Sequence, residues 1–141
     1  MLKGESIRNG VVIDHITAGR GLELYRLLHL ENSTQPVALL QSVRSKKYGR
    51  KDLIKIEGTE LPDRLEILGY LDRKITLIYI QDGKVVRKER PQAPKFLRNV
   101  VRCTNPRCIT SIEANCEQIF KLSPSGKYRC LYCDQEIAVQ R

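Results

Sequence analysis

The 141 residues predict an α+β fold in two parts: a ferredoxin-like split β-α-β domain over residues 1–95, then a small antiparallel β domain over residues 96–141. Three observations carry this reading. Apolar residues alternate along several short stretches of the first part and take helical spacing along two others. Pro91-Gln92-Ala93-Pro94 favours extended backbone and reads as a linker. Beyond it lie all five cysteines, four of them in two close pairs.

In chain order, Val11-Val12-Ile13-Asp14-His15-Ile16 is rich in β-branched residues and reads as a strand. From Gly19 to Leu30, Leu24, Leu27 and Leu28 fall at helical spacing, with Thr17 placed to act as N-cap. Val37, Leu39, Gln41 and Val43 alternate in a strand over residues 36–45, and a second strand follows from Asp52 to Glu57. Pro62 can open a second helix, since its missing N–H costs nothing in a first turn; Leu61, Leu65 and Leu68 would be its buried stripe. Residues 74–81 read as a strand, Asp82-Gly83 as a two-residue hairpin turn, and residues 84–90 as the return. The order β-α-β, β-α-β and an added edge strand gives an antiparallel sheet with both helices on one face. In the second part, strands are expected around Cys116 to Leu122 and from Glu136 to Val139, with a turn at Ser123-Pro124-Ser125-Gly126.

Cys103 and Cys108 form C-x4-C, and Cys130 and Cys133 form C-x2-C, 21 residues further on. Short turns of this kind bring two thiolates together while backbone N–H groups point at the sulfurs. Two such knuckles complete a tetrahedral site for one structural Zn²⁺, with bonds of about 2.3 Å to each sulfur. Disulfides or free core thiols are the competing reading, but nothing in the chain suggests secretion and the spacing is that of zinc ribbons. Four thiolates leave no open position, so this metal folds the chain and performs no chemistry. The second part has only 46 residues. That is near the length of about 40 residues below which chains usually need a metal or disulfides to fold. Cys116 has no adjacent partner and reads as a packed or spare thiol.

Met1-Leu2-Lys3-Gly4-Glu5 leads into mixed polarity with no apolar signal region, and no apolar run approaches the length of a membrane span. A soluble, cytoplasmic protein is expected, without a membrane partner. The net charge is +9, and residues 1–95 hold 18 Lys/Arg against 12 Asp/Glu. Arg44, Lys46, Lys47, Arg50, Lys51 and Lys55 crowd around the single carboxylate of Asp52. Such a cluster suits a polyanion, a nucleotide polyphosphate or a nucleic acid, or else forms an ordinary solvated loop. Asp14-His15, at the end of the first strand, could offer a carboxylate to ribose hydroxyls and an imidazole to phosphate. The same pair equally serves as a partly buried cap to a strand. No Walker loop, G-x-G-x-x-G or H-E-x-x-H is present, and no cysteine stands free beside a base. Catalysis by this chain alone is not expected.

Gly10-Val11-Val12-Ile13-Asp14-His15-Ile16, Gly49-Arg50-Lys51-Asp52-Leu53-Ile54-Lys55-Ile56-Glu57, Cys103-x4-Cys108-Ile109 and Cys130-x-Tyr132-Cys133 together resemble the regulatory chain of aspartate carbamoyltransferase. The likeness runs in order over nearly the whole chain. It implies an allosteric nucleotide-binding domain over residues 1–95 and a zinc-binding domain over residues 96–141 that grips the catalytic chain. It also implies pairing of regulatory chains into dimers that link catalytic trimers in pyrimidine biosynthesis, with CTP, UTP or ATP as effectors. Carried over by position, Asp14 meets the ribose, His15 the phosphates, Lys55 the sugar–base region and Lys88 the triphosphate. Backbone at Ile7 and around Gly83 reads the base edge, Val12 lines the pocket, and Lys51 matches a lysine associated with a second nucleotide. Asn105 and Arg107 project toward the catalytic chain. Two positions depart from the family pattern: Ile78 stands where an asparagine is common, and Gly83 where a larger residue such as tyrosine is usual. The competing reading is a basic nucleic-acid-binding zinc-ribbon protein. Against it, the chain has no Trp, only 6% aromatic residues and no basic–aromatic strand for stacking bases, so no nucleic-acid partner is expected.

Overall fold

The computed structural model describes residues 7–62, 64–113 and 115–137. Two compact units divide the chain, Met1–Gln92 and Ala93–Arg141. The first contains β1 (Gly10–Thr17), α1 (Gly21–Leu27), β2 (Val37–Ser45), β3 (Gly49–Glu57), α2 (Leu68–Leu71), β4 (Thr76–Gln81) and β5 (Lys84–Glu89). Its strands lie in the order β2-β3-β1-β4-β5, every neighbouring pair antiparallel. β3 is thus inserted between β1 and β2, and β1 between β3 and β4, which makes both β-α-β units split ones. This is the predicted ferredoxin-like arrangement with an added edge strand.

Alternation along the strands gives the sheet two apolar faces. Val11, Ile13, Ile54, Ile56 and Leu77 are almost wholly buried, as are Leu24, Leu28, Ile67, Leu68 and Leu71 of the helical segments. On the other face Ile7, Val12 and Leu53 form a separate cluster, with Leu40, Val43, Ile78 and Ile80 packed against it. Asp82 (φ 52°) and Gly83 (φ 76°) both take left-handed backbone, as the predicted hairpin turn requires. Gly10 (φ 154°) is obligatory for another reason: a Cβ there would lie 2.0 Å from the Ile56 carbonyl oxygen.

Both helices are shorter than their apolar spacing predicts. α1 opens at Arg20 with no side-chain cap, because Thr17 is still paired with Lys51 in the sheet. His29, in left-handed conformation, ends it, and a 3-10 turn follows at Leu30–Asn32. Near Pro62 no long helix forms. Arg64 takes left-handed backbone (φ 69°), leaving a 3-10 turn at Leu65–Ile67 and then the four-residue α2. Leu61 accordingly stands half exposed, at 51%. Buried carboxylates hold these short segments. Asp52 accepts the N–H groups of Gly19, Gly21 and Ser42 at 2.8–3.0 Å. Asp72 accepts those of Thr17 and Lys74. Three charge-assisted bonds to backbone hold the Asp52 carboxylate in a dry site, and among the described residues it forms no ion pair.

The second unit is a four-stranded antiparallel sheet, β6 (Phe96–Arg98), β7 (Ile119–Leu122), β8 (Tyr128–Cys130) and β9 (Glu136–Ile137), with the short α3 (Ile109–Ile112). Leu97, Phe120 and Tyr128 are buried in it, and the Tyr128 hydroxyl donates to the Pro94 carbonyl at 2.6 Å. β6 was not anticipated from the sequence, and Val139 of the expected last strand lies outside the described residues. No described helix is long and apolar enough to cross a membrane.

Candidate metal centre and open sheet face

The Sγ atoms of Cys103, Cys108, Cys130 and Cys133 all lie within 4.8 Å of one another. Cys103 and Cys133 are 3.6 Å apart and Cys108 and Cys130 are 3.7 Å apart. These are not disulfides, whose S–S bond is about 2.05 Å. They match the edge of a tetrahedron with 2.3 Å metal–sulfur bonds, about 3.8 Å. Each sulfur also accepts the backbone N–H of the residue two positions on, from Asn105, Thr110, Tyr132 and Gln135 respectively. That regular pattern points four partial positive charges at four sulfurs that must become thiolates. Burial pushes the Cys103 thiol up to about 12, while the Gln135 backbone N–H and the Asn105 side chain draw Cys133 down to about 7. Zn²⁺ is the cation that suits four sulfur donors in this geometry.

Two further residues support the knuckles, and their spacing gave no signal of it. Thr110 donates its hydroxyl to the Cys108 sulfur at 3.1 Å. Gln118, buried on β7's approach, accepts the Cys103 N–H at 2.9 Å and donates to the Thr110 carbonyl at 3.4 Å. Asn105 does not project outward as expected; its side chain accepts the Arg107 N–H within the knuckle. Arg107 is exposed. Cys116 takes no part in the cluster.

On the open face of the larger sheet, Lys55 pairs with Val12, Val12 with Ile78 and Ile78 with Lys88, so these four form one row across β3, β1, β4 and β5. Adjacent strands are about 4.8 Å apart, so the two lysine backbones at its ends are separated by about 14 Å. The middle of the row is apolar and continuous with Ile7, Leu53 and Ile80. Ile7 and Gly83 are joined through their neighbourhood: the Gly83 N–H donates to the Arg8 carbonyl at 2.8 Å. Of the two backbone groups of Gly83, the carbonyl is the one this bond does not use.

One turn of the pleat along, β1 carries a bulge. Ile13 pairs with Ile54 and Ile16 with Asp52, so Asp14 and His15 together oppose Leu53. Asp14 is ion-paired with Lys51 at 2.8 Å. His15, at φ 59°, turns toward β4 and the β2–β3 hairpin, with Nδ1 3.2 Å from the Thr76 hydroxyl and its ring edge-on to Tyr48 at 5.8 Å. Burial pushes the imidazole below its ordinary pKa; Asp14 opposes this, and Lys51, Lys47 and Arg90 add to it. The sequence-derived residues thus fall into a row (Val12, Lys55, Lys88), an ion pair (Asp14, Lys51) and His15 in a neighbouring cleft. Leu53, Ile80 and Thr76 were missed, although Thr76, Ile78 and Ile80 alternate plainly along β4.

The family model described as the aspartate carbamoyltransferase regulatory chain, allosteric domain, matches residues 2–92, and the metal binding domain of the same chain matches residues 95–141. The chain belongs to the aspartate carbamoyltransferase regulatory chain family. A regulatory chain of Clostridium botulinum is 44% identical over 137 residues, covering 96% of this chain and 93% of the relative. That of Clostridium tetani is 43% identical over the same length, covering 96% and 95%. That of Bifidobacterium longum is 41% identical over 133 residues, covering 93% and 95%. Membership makes this a regulatory and not a catalytic chain, and the cluster of four cysteines falls within its metal binding domain.

Proposed function

We propose that the chain regulates aspartate carbamoyltransferase by holding a nucleoside triphosphate on its open sheet face while its zinc domain grips the catalytic chain. The row Lys55–Val12–Ile78–Lys88 carries this reading. It is an apolar floor between two ammonium groups, which suits a flat base and sugar between polar ends and a phosphate tail. Asp14 takes the ribose hydroxyls and Lys55 the sugar–base region. Lys88 takes the triphosphate, with His15 beside it. Val12 lines the floor, and backbone at Ile7 and the Gly83 carbonyl read the base edge. Lys51, already bound to Asp14, fixes that carboxylate in place.

The catalytic chain docks on the knuckle face, where Ile109, Ile112, Leu131 and Tyr132 are 43–67% exposed around the metal centre. Two regulatory chains pair through a free sheet edge, β2 being the more apolar of the two edges. Dimers of this kind would link catalytic trimers in pyrimidine biosynthesis. Four metal-bound thiolates suit a reducing compartment, here the cytoplasm. A nucleotide changes the enzyme only by its different affinity for two quaternary states.

The test is calorimetry and activity of the chain assembled with its catalytic chain, titrated with CTP, UTP and ATP. Heat from at least one nucleotide and a shifted aspartate dependence are expected. No heat from any of the three in the assembled complex refutes the reading.

A further inference from the structure

Beyond the bulge at Asp14-His15, a cleft of about 360 Å³ opens between the end of β1, the β2–β3 hairpin and the segment leading into β4. His15, Thr17, Tyr48, Arg50 and Lys74 line it. Its centre is the half-buried Tyr48 ring. The ammonium of Lys74 lies 5.0 Å from the ring centroid and that of Lys47 lies 5.4 Å from it. His15 meets the same ring edge-on. Among the described residues neither Lys47 nor Lys74 has a carboxylate within ion-pair distance. The nearby carboxylates are committed: Asp14 to Lys51, and Asp72 to the backbone N–H groups of Thr17 and Lys74.

A merely solvated hairpin would spread its lysines into water, since like charges repel. Here two ammonium groups lie within 5.4 Å of the centre of one aromatic ring, and that ring, an imidazole, a guanidinium and one of the two lysines line an open volume. Arg50 gives one N–H to the Ser42 carbonyl and His15 meets the Thr76 hydroxyl, which leaves the two ammonium groups as the charges without a carboxylate. Such a concentration of positive charge is complementary to an anion with several oxygens. We propose that the Tyr48 cleft is a phosphate-binding subsite in which Lys74, Arg50 and His15 surround a phosphoryl group, with Lys47 adding positive charge beside it and Tyr48 holding the two ammonium groups in place. Two sources supply that chemistry: the terminal phosphates of the nucleotide on the sheet face, or a separate phosphorylated small molecule. The first source rests on the nucleotide reading above; the second does not.

Inorganic tripolyphosphate is the probe, added to the full zinc-loaded chain. The chain has only two histidines, so imidazole resonances report separately on His15 and on His29, which is exposed on another segment and serves as the control. The groups acting on His15 are Asp14 on β1, Lys51 on β3, Lys47 in the hairpin and Arg90 after β5. A bound anion screens the cations among them, so the His15 pKa rises. Lys74→Gln and Lys47→Gln, both at exposed positions that leave folding intact, each weaken tripolyphosphate binding roughly tenfold.

Displacement of the probe by CTP, UTP or ATP, with further weakening in Lys88→Ala, identifies the nucleotide's own phosphate tail as the occupant. Binding that no nucleotide displaces identifies a separate phosphorylated ligand, and supports the cleft even if the nucleotide reading fails. Three results overturn the proposal: no His15 response at millimolar tripolyphosphate, a response reproduced by sodium chloride at equal ionic strength, or binding undiminished in both lysine variants.

Discussion

Lys51 reaches across the β1–β3 pair to Asp14, Nζ to Oδ1 at 2.8 Å, and the same carboxylate oxygen accepts the His15 backbone N–H at 2.7 Å. The bulge, the ion pair and the imidazole are therefore one electrostatic unit. Lys51→Gln removes a cation that lowers the His15 pKa and leaves Asp14, which raises it, unpaired. The expected outcome is an upward shift of the His15 pKa, read by NMR titration. The sign for stability follows. A folded-state value below 6.5 means the unfolded chain binds this proton more readily. His15 thus contributes fully above about pH 6.5, and its contribution is lost as pH falls through the window below. Denaturation midpoints should decline over that window in the wild type and decline less in Lys51→Gln.

Removing zinc should unfold the second unit and spare the first. Structural zinc contributes about 10–16 kcal/mol of apparent binding free energy at neutral pH. The residues it anchors belong to a unit whose buried side chains are few, Leu97, Phe120 and Tyr128 chief among them. Chelation should abolish hydrogen-exchange protection beyond about residue 102 while β1 to β5 stay protected. It should also release the chain from its catalytic partner. Cys116→Ser should keep one zinc per chain and Cys108→Ser should lose it. Loss of metal in Cys116→Ser would contradict the ligand assignment.

Gln118 gives a subtler test of the same centre. Its side chain bridges the Cys103 N–H and the Thr110 carbonyl, and Thr110 in turn donates to the Cys108 sulfur. Gln118→Ala leaves two buried backbone groups without their partner, at about 1–3 kcal/mol each. Outer-shell changes of this kind typically weaken metal affinity by about 10–100-fold. Competition against a zinc-binding dye should show that loss with the four-sulfur spectrum of a cobalt-substituted sample unchanged. Unaltered affinity would mean the knuckles hold their geometry without the bridge.

The parts of this molecule that were legible in the sequence are those fixed by local rules. Asp82-Gly83 favours a tight turn wherever it occurs between strands, and C-x4-C with C-x2-C is the spacing of a zinc ribbon. The strand alternation around Val12, Leu53 and Ile78 likewise needs no knowledge of neighbours. The helices were overestimated because leucine spacing near Pro62 fits a helix, whereas Arg64 in left-handed backbone and the buried Asp72 carboxylate stop it. Those are tertiary causes. His15 read either as an imidazole for phosphate or as a partly buried cap to its strand, since nothing local announces a bulge that turns it toward Tyr48. Gln118 was invisible for the same reason: it reaches a knuckle 15 residues away, whereas Thr110 acts on the nearby Cys108 and a lone threonine after a cysteine carries no signal of it.

The effector site turns on Ile78, which lies between Val12 and Lys88 in the row across the sheet. Lys88 is exposed at the end of that row, and Lys88→Ala should weaken triphosphate binding roughly tenfold, as loss of a charge-assisted contact does. Ile78→Asn places an amide where a bound nucleotide could accept or donate a hydrogen bond, worth about 0.5–1.5 kcal/mol net. It also removes a side chain packed against the Ile7–Val12–Leu53 cluster, so some stability is lost in either case. The two effects separate in one experiment. Calorimetry with CTP, UTP and ATP on the wild type, Lys88→Ala and Ile78→Asn should give binding that weakens in the first variant and strengthens in the second, while the thermal midpoint of Ile78→Asn falls. A lowered midpoint with no gain in affinity would mean that the apolar row packs against something other than a nucleotide, and that Ile78 is there to keep it dry.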